Sequence, residues 1–89
     1  MVMTPNEFLK RLQSGKAVNC IYRNDDLVGL INAWLYEGTF ILTWEECKYG
    51  GQNDEETCSR DERRKFQTAE EVLAFVEKSG YGADAFRPL

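Results

Sequence analysis

The chain has no histidine among its 89 residues. Histidine is the commonest general base, and it completes Ser-His and Cys-His nucleophile pairs and most catalytic zinc sites. The phosphate-binding pattern G-x-x-x-x-G-K-[ST], the dinucleotide-binding pattern G-x-G-x-x-G and the nucleophile pattern G-x-S-x-G are also missing. We therefore expect a protein that is not an enzyme and that uses no cofactor or metal.

Basic residues and long apolar runs are also scarce. Eleven Lys and Arg against fifteen Asp and Glu give a formal net charge of -4, which disfavours direct nucleic-acid binding because phosphate is repelled. The longest apolar region, 27–35, is interrupted by Gly29 and Asn32 and falls short of the roughly 18–20 residues of a membrane span. The first residues show neither the basic start nor the apolar run of a secretory signal. We expect a soluble cytoplasmic protein that does not contact the membrane.

The three cysteines, Cys20, Cys47 and Cys58, are an odd number at wide spacings and form no C-x-x-C pair. This pattern is typical of reduced thiols rather than of a disulfide framework. A single bridge between Cys47 and Cys58 is the alternative. Because these two residues flank a charged segment, a thiol or metal sensor is one alternative function.

Two capping patterns predict two helices in a single domain, 1–89. Thr4 and Glu7 fit a capping box with Pro5 at the first helical position, and Thr68 and Glu71 repeat the pattern near the other end of the chain. Each pattern is followed by one apolar stripe at helical spacing and then by a glycine. Both helices should therefore be amphipathic and should cover one face of the rest of the domain.

The segment 27–36 fits either helical or strand spacing. A two-residue turn at Glu37-Gly38 would place Tyr36 opposite Thr39 and fix every other pair by counting outward. One face of that hairpin is then wholly apolar, so we favour the hairpin. The residues on this face are Ile31, Ala33, Leu35, Phe40, Leu42 and Trp44.

Two further strands extend the hairpin. An alternating segment at 17–22, followed by turn residues at 23–26, predicts a first strand and hence a three-stranded meander. After a charged loop, 57–66 fits a polar edge strand. The predicted fold is α+β, a small antiparallel meander of three to four strands in the order α-β-β-β-(β)-α, with both helices on one face. The tail, 81–89, should lie along the surface with Phe86 tucked in.

The other face of the meander is the first candidate site. It groups Trp34, Tyr36 and Ile41, and aromatic anchors of this kind are enriched in protein interfaces. An additional helix or the C-terminal tail packed over this face would instead make the three residues ordinary core.

The acidic segment 45–62 is the second candidate site. Clustered carboxylates usually form a solvated surface, but they also steer association with a basic protein and can imitate phosphates. The basic residues near its end, 60–65, interleave with acidic ones, which favours local charge compensation. The candidate acidic contacts are Glu45, Glu46, Asp54, Glu55 and Glu56.

In size, acidity and lack of catalytic groups the chain looks like the small accessory proteins of phages and plasmids, such as anti-CRISPR proteins and toxin-immunity proteins. That analogy is compositional and assigns a role to no residue. The first hypothesis is a binding protein that inhibits or modulates another protein, one with a basic, nucleic-acid-handling surface. The alternatives are a self-assembling domain, as a homodimer, and the thiol or metal sensor.

Overall fold

The computed structural model describes residues 3–48 and 58–88. The chain forms helix α1 (Pro5–Gln13), strands β1 (Val18–Asn24), β2 (Leu27–Tyr36), β3 (Thr39–Lys48) and β4 (Cys58–Phe66), and helix α2 (Ala69–Lys78). A 3-10 helix (Ala83–Ala85) and a two-residue strand, β5 (Arg87–Pro88), follow. The predicted α+β order is confirmed, and β5 is an addition to it.

Both helices begin at the caps that the sequence predicted. The Thr4 hydroxyl accepts a hydrogen bond from the Glu7 amide, and the Glu7 carboxylate accepts one from the Thr4 amide, which completes the capping box. The Thr68 hydroxyl accepts from the Glu71 amide in the same way. These bonds satisfy backbone donors that have no partner within the helix, and they fix where each helix starts.

The central hairpin has the register that was counted from its turn. Tyr36 lies opposite Thr39, and the pairing continues without interruption to Leu27 opposite Lys48. Glu37 and Gly38 both have positive φ angles, 48° and 77°, as a two-residue turn that matches the strand twist requires. The choice of strand over helix for 27–36 is confirmed.

The sheet has five strands in the order β4-β3-β2-β1-β5. The polar edge strand is confirmed as β4, and β3 runs on to Lys48, so Glu45 and Glu46 belong to a strand. The predicted charged loop between the two strands lies outside the described residues. A bulge interrupts the β3–β4 pairing, because Cys47 faces Cys58 while Glu46 faces Arg60. Ser59 is the extra residue.

One face of the sheet, the helix face, holds the core. Side chains of both helices and of the tail pack there on alternate residues of β1, β2 and β3. Trp44 is 1% exposed and Phe86, tucked in as expected, meets Phe8 edge to face. The main buried members are Phe8, Leu12, Val18, Ile31, Leu42, Trp44, Val72, Val76 and Phe86.

Tyr22 and Gly29 form a close pair at one end of this core. They face each other across β1 and β2, and the Tyr22 ring lies over the Gly29 backbone, in the space that a side chain at position 29 would fill. The ring stacks on Tyr81 and meets Trp44 edge-on. A glycine inside a strand usually weakens it, but here the missing side chain makes room for an aromatic one.

Neither helix in the described part of the chain is long and apolar enough to cross a membrane.

Candidate functional site

The other face of the sheet, the outer face, is left open by the described helices and tail. All of these pack on the helix face, so the predicted alternative in which the tail covers the outer face is not what the structure shows. Strand alternation places large side chains of β1 and β2 on the outer face. These are Ile21, Val28, Leu30, Trp34 and Tyr36.

A shallow apolar depression of about 200 Å³ lies at one end of this outer face. Ile21 stands opposite Leu30 at its rim and is 70% exposed, the most exposed large apolar residue in the described chain. Among the described residues, Glu45 is the only charged residue that lines it. The depression is lined by Ile21, Val28, Gly29, Leu30, Glu45 and Cys47.

The predicted aromatic cluster lies toward the other end of the same face. Trp34 is half-buried and stands directly opposite Ile41, which is only 4% exposed although it is outside the main core cluster. Tyr36 is 58% exposed beside the hairpin turn. Trp34 and Tyr36 are therefore accessible to another molecule, whereas Ile41 is buried beside Trp34 on the neighbouring strand.

The polar residues of the outer face are separated by charge. Glu45 of β3 faces Asp61 of β4, so two carboxylates lie side by side next to the depression. Toward the aromatic cluster, Arg63 faces Thr43 and Lys65 faces Ile41. On β3 and β4 the surface is thus acidic beside the depression and basic at the aromatic end, while Arg23 of β1 lies opposite Val28 on the other side of the depression.

Glu46, the next predicted contact residue, is not on this face. Its carboxylate accepts hydrogen bonds from the Tyr22 hydroxyl and, at 2.9 Å, from the Ser59 hydroxyl. Those bonds hold the pKa of Glu46 below its usual value, Tyr22 contributing most. Burial, followed by the bond to the Glu46 carboxylate, raises the pKa of Tyr22 well above its usual range. Glu46 therefore anchors Tyr22, and Trp44 Nε1 completes the network by donating to the Tyr22 hydroxyl at 3.0 Å.

The remaining acidic candidates, Asp54, Glu55 and Glu56, lie outside the described residues.

The local charge compensation that the alternation of charges predicted is found for two residues of the basic cluster of β4, Arg60 and Arg64. On the helix face, Glu62 accepts hydrogen bonds from Arg60 and, at 3.0 Å, from Arg64. Burial raises the pKa of Glu62, but these bonds and the two positive charges outweigh it and leave the pKa lowered. The Arg60 guanidinium lies 3.8 Å from the centre of the Trp44 ring, so it also covers the core.

The expectation of reduced thiols is wrong for two of the three cysteines. Cys47 and Cys58 are joined by a disulfide, because the bulge brings them directly opposite each other in β3 and β4. Cys20 is a buried free thiol, as expected, and burial raises its pKa. Disulfides persist mainly in oxidising compartments, so the thiol argument for a cytoplasmic location is weakened. Within residues 3–48 and 58–88, no cluster of three potential metal ligands occurs.

The sequence interpretation missed the depression. Ile21, Val28 and Leu30 are large aliphatic residues at the outward positions of two adjacent strands, and that alternation was the available signal. Their contact depends on the β1–β2 register, in which Asn24 faces Leu27 across a turn at Asp25-Asp26. With that register, the apolar part of the outer face extends well beyond Trp34 and Tyr36.

Comparison of the chain with protein-family models, with curated proteins and with solved structures finds no match.

Proposed function

We propose that this domain is a non-enzymatic module that binds another protein on the outer face of its sheet. The observation that supports the proposal is the open apolar depression around Ile21. Antiparallel sheets commonly leave one face in solvent, but such a face is usually polar. An exposed apolar patch bordered by charged residues is typical of a protein contact surface.

The size of the depression favours a protein partner over a small ligand. Sites for metabolites and cofactors usually enclose about 300–1,000 Å³, and they surround most of their ligand. A half-open depression of about 200 Å³ fits one aliphatic or aromatic side chain of a partner. The open outer face around it, which includes Trp34 and Tyr36, supplies the rest of the contact area.

The charge pattern defines the chemistry of the partner. Glu45 and Asp61 face each other beside the depression, and like charges directly opposite each other in a sheet are unfavourable. A Lys or Arg of the partner placed between them would remove that repulsion. The partner surface is therefore basic on the β3–β4 side of the depression, next to the apolar side chain that enters it, which extends to this face the predicted preference for a basic protein. A domain of this kind acts as an inhibitor when the surface it covers is the partner's own active or binding site.

The test compares variants of the full chain in affinity capture from the native host lysate, followed by purified binding measurements. Ile21→Asp places a charge in the depression, and Ala74→Asp on the exposed side of α2 is its matched control. Glu45→Lys reverses one carboxylate, and Glu77→Lys on α2 is the corresponding control. All four positions are solvent-exposed, so the fold should be retained, which circular dichroism checks.

The expected result is one captured protein that is lost with Ile21→Asp, weakened by Glu45→Lys and by added salt, and unaffected by either control. Salt weakens contacts between exposed charges, so the loss should be graded. A partner that binds Ile21→Asp as tightly as the wild type, or that is lost with the α2 controls, would contradict the outer face as the binding surface.

A further inference from the structure

Strand β4 forms one edge of the sheet. It pairs with β3 on one side only, and within the described chain no strand lies on its other side. An unpaired edge presents backbone N–H and C=O groups to any other strand, and proteins commonly protect such edges with charge. Six consecutive residues of β4, 60–65, are charged, and their order is the feature that matters.

We infer that two copies of this chain associate through antiparallel pairing of their β4 strands, with the two-fold axis at Arg63. Such an axis stands perpendicular to the sheet, so outer-face residues meet outer-face residues and helix-face residues meet helix-face residues. Asp61 then faces Lys65 of the second copy on the outer face, and Glu62 faces Arg64 of the second copy on the helix face. By symmetry each pair occurs twice.

Among the possible positions of the axis, this register gives the most complementary pairing of charges. It gives opposite charges at every one of those positions, and its one like-charged contact is Arg63 with its own copy on the axis. Moving the axis to Glu62 keeps Asp61 opposite Arg63 but sets Glu62 against itself and Arg60 against Arg64 twice. An axis at Asp61 leaves Arg60 opposite Glu62 as its only complementary pair, and one at Arg64 leaves none. Charge repulsion in the other registers therefore favours the register with its axis at Arg63.

On the helix face, the charged side chains of β4 are held in place within the single chain. Glu62 bonds Arg60 and Arg64 of its own strand, so the alternating row of charges is ordered before association. Preordered side chains lose less conformational freedom on binding. Pairing would join two five-stranded sheets into one, with both outer faces on the same side.

The experiment is a charge swap measured by sedimentation equilibrium. Asp61→Lys and Lys65→Asp each place two like-charged pairs in the interface, and each should weaken association by about tenfold or more. The double variant D61K/K65D restores both pairs and should dimerise like the wild type. An equimolar mixture of the two single variants should form a heterodimer. Within one chain Asp61 faces Glu45, so Asp61→Lys removes a repulsion and should not harm folding.

A cross-linking measurement reports the register itself. Arg63→Cys puts two cysteines opposite each other on the axis and should form an intermolecular disulfide on mild oxidation, whereas Lys65→Cys faces Asp61 of the second copy and should not. A wild-type chain that stays monomeric up to about 1 mM, or a swap variant that fails to regain association, would overturn the inference. Ile21→Asp should leave the dimer intact, so failure of the dimer and failure of the outer-face binding proposal are distinguishable.

Discussion

The contact between Tyr22 and Gly29 makes a sharp prediction about stability. In Gly29→Ala, the new methyl group would fall on the Cζ and Cε1 atoms of the Tyr22 ring, so the ring has to leave its place. Moving it breaks the bonds of the hydroxyl to Glu46 and Trp44 and the stacking on Tyr81, whose ring centre lies 4.8 Å away. A substitution that normally favours a strand should therefore destabilise this one.

The size of the effect follows from those contacts. A hydrogen bond to a charged group contributes about 1.5–3 kcal/mol, one to a neutral group about 1 kcal/mol, and an aromatic pair about 0.5–1.5 kcal/mol. Against this loss, replacing glycine by alanine inside a strand itself stabilises the fold by about 0.5–1 kcal/mol. We expect Gly29→Ala to lower the free energy of unfolding by about 2–5 kcal/mol, which in a domain of this size lowers Tm by roughly 8–40 °C.

The assay is a double-mutant cycle followed by urea unfolding. Tyr22→Ala removes the ring that the new methyl group would strike, so in that background Gly29→Ala should be neutral or stabilising by up to about 1 kcal/mol. The urea midpoint should move while the dependence on urea concentration stays constant, because the surface exposed on unfolding hardly changes. An equal cost for Gly29→Ala in both backgrounds would refute the reasoning, since the penalty would then not come from the ring.

Three further predictions concern the hairpins and the polar network. Replacing Cys47 and Cys58 by serine should lower the free energy of unfolding by about 3 kcal/mol, because the bridge closes a short loop across a sequence separation of 11. Dithiothreitol should destabilise the wild type by a similar amount and leave the double variant unchanged, and a wild type insensitive to the reductant would contradict this. Tyr22→Phe should destabilise the fold most between about pH 5 and 10. The lowered pKa of Glu46 means that its bond stabilises the fold above the ordinary carboxyl pKa of 4.5, and this stabilisation is lost on acidification. The raised pKa of Tyr22 means that its hydroxyl stabilises the fold below the ordinary pKa of 10.0, and this stabilisation is lost in alkali. Unfolding curves of both proteins across pH measure this, and a difference that does not change with pH would argue against it. Glu37→Asn should stabilise the fold by about 0.5–1 kcal/mol, because asparagine tolerates the positive φ of the turn better than glutamate, and a lower thermal midpoint would contradict it.

The parts of the fold that were predictable are those determined by neighbouring residues. The caps at Thr4 and Thr68 each depend on a residue three positions away, and the β2–β3 register follows from the two-residue turn at Glu37-Gly38. Local chemistry of this kind can be read directly, because the chain has few ways to satisfy it.

The parts that were missed depend on register between segments that no short turn connects. A nine-residue connection, 49–57, separates β3 from β4, so counting from a turn could not align them. The bulge at Glu46/Cys47 then changes the alignment by one residue, which brings Cys47 and Cys58 together. For the same reason the outer-face pairing of Glu45 with Asp61 was not apparent, although both residues had been recognised as acidic.

The disulfide between β3 and β4 also determines whether a single backbone cleavage separates the chain into two molecules. The disulfide encloses residues 48–57, so a peptide bond cleaved in the connection 49–57 leaves both parts of the protein in one covalent molecule. The nicked protein would run as one species without reductant and as two fragments with it. The bridge therefore makes this connection a place where the chain can be opened, or a foreign peptide inserted, while β3 and β4 stay covalently linked.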